Sequence, residues 1–117
     1  MRKLTIVAVC LLAGLAPAGV RAHAFLDHAS PLVGSSVPSA PREVALWFTQ
    51  NIEPAFSTVE VSSAQGARVD QGKPQISGSV MRVGLKPLTP GSYKVHWRVL
   101  SVDTHTTEGN FSFRVGQ

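Results

Sequence analysis

The sequence predicts an all-β domain, a small antiparallel sandwich, on three observations. Apolar residues alternate with polar ones in short runs, turn-forming residues fall between those runs, and no stretch keeps a helical period. The chain has 117 residues, 44% of them hydrophobic and 15% charged, which is the make-up of one folded domain with no room for a second.

The strands follow in order. Glu43 to Thr49 puts Val44, Leu46 and Phe48 on one face and Glu43, Ala45, Trp47 and Thr49 on the other. Thr58 to Ser62 repeats the pattern with Val59 and Val61 inward, and Val80 to Leu85 does so with Met81, Val83 and Leu85. Ser92 to Leu100 is the clearest case: Tyr93, Val95, Trp97 and Val99 oppose Lys94, His96, Arg98 and Leu100. Asn110 to Val115 closes the series with Phe111, Phe113 and Val115 inward. Between the runs stand Ser30-Pro31, Val37-Pro38 through Pro41, Gln65-Gly66, Gly72-Lys73-Pro74, Lys86-Pro87 and Thr89-Pro90-Gly91. Gln65 to Ser79, rich in Gly, Ser and Gln without apolar alternation, is expected as a long surface connection carrying at most a short strand.

Residues 1–22 have the parts of a secretory signal peptide: basic Arg2-Lys3, an apolar run from Leu4 to Leu15, and Val20-Arg21-Ala22 with small residues three and one before the cut. The run is too short to span a bilayer. Cleavage after Ala22 makes residues 23–117 the mature domain, expected to be soluble and exported. It also removes Arg2, Lys3 and Arg21, leaving 8 Lys and Arg against 7 Asp and Glu, so the net charge drops from +4 to +1 and a nucleic-acid footprint disappears. The single cysteine, Cys10, leaves with the leader, which excludes disulfides, thiol catalysis and thiolate metal sites.

Catalytic signatures are absent. No Gly-x-Ser-x-Gly elbow, phosphate loop, HExxH or EF-hand pattern occurs, and Asp103 and His105 sit too close in sequence to orient one another for hydrolysis. The informative feature is the new terminus. After cleavage His23 offers its α-amine and its ring nitrogen to one metal, a six-membered chelate that an internal histidine cannot form. A free α-amine has a pKa of about 7.7–8.0, so a metal displaces its proton at modest cost. Asp103 and His105, two apart, present a carboxylate and an imidazole to the same side of an extended or turning segment. Three nitrogens and one oxygen suit a tetragonal divalent ion, with Cu(II) at the head of the affinity order. Against this stands the plainer reading of an exposed terminal histidine and a polar Asp-Thr-His turn. His28 is an exposed residue or an alternative ligand, His96 falls on the outward face, and Glu53 and Glu108 read as solvated surface.

At these residues the chain resembles the CopC family of periplasmic copper-resistance proteins and the related YobA-type proteins. The resemblance rests on His23-Ala24, on Ser30-Pro31 with Gly34, and on Val44 to Thr49 and Phe56-Ser57. It continues through Leu88 to Val99 and through Ser101-Val102-Asp103-Thr104-His105 followed by Gly109. It implies a seven-stranded Greek-key β-barrel or sandwich, cupredoxin-like or immunoglobulin-like. It also implies one Cu(II) per monomeric chain held by His23, Asp103 and His105, with a CopD-like inner-membrane protein as partner. Two departures stand out. The Met-rich loop of some members corresponds to Ser62 to Ser79, which has no methionine, so Met81 alone cannot build a soft Cu(I) site. After Phe48-Thr49, Gln50 stands where relatives often carry an acid.

Three function classes follow. The first is a non-catalytic Cu(II) binder for sequestration, resistance or delivery. The second is a copper-dependent oxidase or monooxygenase built on an N-terminal histidine brace. The third is an adhesion module with an accidental site. Asp103 in the remaining equatorial position favours the first over the second.

Overall fold

The computed structural model describes residues 23–116. The expected signal peptide, residues 1–22, lies outside the described residues. Eight strands form two four-stranded sheets: β1 (Leu26–Ser30), β2 (Ser36–Val37), β3 (Glu43–Phe48), β4 (Thr58–Ser63), β5 (Asp70–Ser77), β6 (Val80–Leu85), β7 (Gly91–Leu100) and β8 (Thr106–Val115). One sheet runs β1-β3-β6-β5 and the other β2-β8-β7-β4. Pairing is antiparallel except where the two-residue β2 lies parallel to the end of β8. Apart from that short strand, seven strands of five residues or more make the sandwich, as the resemblance implies.

The alternation sets the core. Val44, Leu46 and Phe48 of β3, Val59 and Val61 of β4, and Met81, Val83 and Leu85 of β6 are all buried. So are Tyr93, Val95, Trp97 and Val99 of β7 and Phe111, Phe113 and Val115 of β8. These inner faces meet in one apolar cluster, the arrangement that removes most apolar area from water in a two-layer β fold. Tyr93 stacks near Phe113 with ring centroids 5.6 Å apart and donates its hydroxyl to the Thr89 carbonyl, so its polar tip is satisfied at the core's edge.

Three expectations need correction. Gln65 to Ser79 is not mainly a connection, since Asp70–Ser77 is an eight-residue strand paired with β6, its register slipping between Gln71 and Gln75 around Gly72 and Pro74. Pro is tolerated there because β5 is an edge strand. The last strand begins at Thr106 rather than Asn110, pairing with β7 all the way to Leu100. Ala45, placed on the outer face, is nonetheless buried, because its neighbours on both sides, Ser30 of β1 and Arg82 of β6, cover it.

Candidate metal centre

The β7–β8 connection carries the candidate loop. Ser101 closes it: its amide donates to the His105 carbonyl at 2.9 Å, its carbonyl accepts from the Thr104 amide at 2.8 Å, and its hydroxyl accepts from the His105 amide at 3.3 Å. Ser101 is fully buried and bridges Ile52 of the neighbouring segment, while the Val102 amide donates to the Asn51 carbonyl. The turn is completed by Thr104 at φ 70°, a left-handed conformation uncommon for a β-branched residue, with its hydroxyl on the Asp103 carbonyl. A rooted Ser101 thus holds Asp103, Thr104 and His105 out into solvent.

The N-terminal arm reaches this loop from the other end of the sequence. Ala24 is fully buried within the core cluster, and its carbonyl accepts the Thr107 hydroxyl at 2.6 Å. Thr49, just beyond β3, holds the next residue twice: the Phe25 amide donates to its hydroxyl at 2.9 Å, and its amide donates to the Phe25 carbonyl at 2.8 Å. The arm therefore enters the sandwich at Ala24 and leaves the His23 ring 4.5 Å from the His105 ring, centroid to centroid. Phe25, half-exposed, sits 5.9 Å from His23.

Of the three expected ligands, the structure brings His23 and His105 together. Asp103 is on the same loop, but among the described residues no three His, Cys, Asp or Glu side chains gather closely enough to hold a metal ion as they stand. The reason lies in the loop: Asp103 sits at its exposed tip, held through its backbone rather than its carboxylate. The paired rings offer two imidazole nitrogens, donors that suit copper among the transition metals.

The remaining histidines lie elsewhere. His28 donates from Nδ1 to the Asp27 carboxylate at 2.7 Å and stacks on Trp47 at 4.5 Å and 10°, with the Arg82 guanidinium 5.5 Å from the same indole. His96, expected as a solvated ring, is tied to Asn110 at 2.9 Å and lies 3.6 Å from Glu108, which also faces Arg98. Sequence reasoning missed Thr107, Thr49 and the buried Ser101 as supports. Only Ser101 had a signal, its place at the head of the Ser-x-Asp-x-His motif.

Residues 26–116 match the CopC domain family. Copper resistance protein C of Xanthomonas campestris pv. juglandis is 33% identical over 123 residues, covering 97% of this chain and 96% of its own. Copper transport protein CutJ of Bacillus subtilis (strain 168) is 33% identical over 100 residues, which are 82% of this chain but 18% of that protein. The crystal structure of CopC from Methylosinus trichosporium OB3b superposes with a TM-score of 0.71 at 34% identity, covering 80% of this chain and 93% of that one.

Proposed function

The chain belongs to the CopC family, and from that premise we propose that it is an exported, non-enzymatic Cu(II)-binding protein that sequesters copper in the periplasm or hands it to a membrane copper-transport protein. The observation that carries this reading is the 4.5 Å approach of the His23 and His105 rings, two residues far apart in sequence that the fold makes neighbours. Cleavage after Ala22 frees the His23 amine and completes a three-nitrogen set. Asp103, an exposed side chain two residues from His105, turns in to supply the oxygen donor. One Cu(II) per chain results, four-coordinate in N and O, with no soft ligand to retain Cu(I). The relative named a copper transport protein, in which the matched stretch is a small part of a longer chain, supports delivery to such a partner.

Titration of the processed protein with Cu(II), beside His105→Ala and Asp103→Ala, tests this. The wild type takes up one equivalent. His105→Ala loses at least about a hundredfold in affinity, Asp103→Ala loses less and shows an altered EPR spectrum, and both fold normally because the side chains are exposed. Wild-type affinity in His105→Ala contradicts the proposal. The histidine-brace oxidase is the second reading resting on the same two rings, and a wild-type spectrum in Asp103→Ala, meaning that the carboxylate is not a ligand, favours it.

A further inference from the structure

The arm that carries His23 is only three residues long before β1 begins, yet every one of its carbonyls is engaged. The His23 carbonyl faces the Thr49 hydroxyl at 3.4 Å, the Ala24 carbonyl accepts from Thr107 at 2.6 Å, and the Phe25 carbonyl accepts from the Thr49 amide at 2.8 Å. The Thr107 contact spans 83 residues of sequence and is the shortest of the three. It comes from a particular place. Along β8 the inward positions are Thr107, Gly109, Phe111, Phe113 and Val115, so Thr107 occupies the last inward position before the candidate loop, where an apolar residue would continue the core. Instead a half-buried hydroxyl meets the carbonyl of the fully buried Ala24.

We propose that Thr107 is a positioning residue for the copper site: its hydroxyl, through the Ala24 carbonyl, fixes the rotation of the arm so that the His23 amine and ring face His105, with Thr49 as the second anchor. The inference rests on the Cu(II) reading above and adds to it. A terminal chelate that swings freely must lose backbone entropy each time it captures a metal. An arm already fixed by the two threonines has lost that freedom on folding, so the ion is captured by prearranged donors. The hydroxyl serves here as outer hydrogen-bond partners serve ligands in other metal sites, where their removal costs roughly ten- to a hundredfold in affinity.

The test compares Thr107→Val, which keeps the shape and removes the donor, with Thr107→Ser, which keeps the donor and removes the methyl. Both are purified after export, with intact mass placing His23 first. Cu(II) affinity, EPR spectrum and the thermal midpoint of the metal-free protein are recorded. The expected result is a loss of roughly tenfold or more in Thr107→Val with a broadened or heterogeneous spectrum, and near-wild-type affinity and spectrum in Thr107→Ser. Wild-type affinity and spectrum in Thr107→Val overturn the proposal while leaving the copper reading intact, and equal losses in both variants overturn it by assigning the effect to packing. Absence of Cu(II) binding in the wild type overturns both readings, and His105→Ala, then indistinguishable from wild type, identifies that case. Should Thr107→Val fail to fold, Thr49→Val, at an exposed position, carries the same expectation and the same contradiction.

Discussion

Position 109 is occupied by glycine because an indole lies where a side chain would be. A Cβ there would stand 2.7 Å from Cζ2 and 3.0 Å from Cε2 of Trp97, and Trp97 is itself held edge-on to Phe48 at 5.2 Å. The neighbour is a rigid ring in a packed core, so it cannot yield cheaply. Gly109→Ala is expected to destabilise the fold by about 1–3 kcal/mol, read from the midpoint of denaturant unfolding; an unchanged midpoint counts against the close fit. The inward Trp97 was legible in the period of its strand, whereas the need for glycine opposite it was not, because that depends on the β7–β8 register. The same holds for His28 on Trp47 and for His96 with Asn110. Each ring looks solvated in sequence, and each gains its neighbour from cross-strand pairing.

Among the elements, β5 was the least legible and is held by an unusual device. Its first residue, Asp70, accepts from the Arg68 guanidinium at 2.7 and 2.8 Å and from the Val61 amide of β4 at 2.9 Å, tying the edge of one sheet to the edge of the other. Those hydrogen bonds, foremost the one from Arg68, hold the Asp70 carboxyl below the usual carboxylate range despite its partial burial. A group with a lowered folded pKa contributes stability that is present above its unfolded value, near 3.9, and is lost as the pH falls through the folded one. Wild-type stability is therefore expected to fall below about pH 4, and Asp70→Asn to be less stable at neutral pH with a shallower acid slope. Denaturant melts from pH 7 to pH 2.5 check this, and identical slopes contradict it. Strands β3, β4, β6 and β7 were readable because one face of each is apolar. By contrast β1, β5 and the first half of β8 were not, since edge position and polar composition leave little alternation to read.

For the whole molecule, the sandwich works as a device that brings two distant stretches of chain to one end and fixes both, the arm through Ala24 and the loop through Ser101, each fully buried. The sequence supplied the candidates, His23, Asp103 and His105, and the fold supplied the pairing of the two histidines that spacing alone could not. Asp103 was legible in the sequence as a candidate, but the fold does not gather it with the two rings, because its exposed carboxylate has no packing to fix it. The proposed donor set carries a redox consequence: His23, Asp103 and His105 contain no thioether, so reduction is expected to release the ion to a Cu(I) chelator. Stoichiometric Cu(I) binding that survives mutation of His23 and His105 contradicts this. Whether processing at Ala22 creates the copper site is decided by Cu(II) titration with EPR on the processed protein beside a variant carrying one extra residue ahead of His23. The extended variant is expected to fold identically yet lose orders of magnitude in affinity and the nitrogen signature of the amine, and equal affinity with an unchanged spectrum would contradict a site made by the terminal amine.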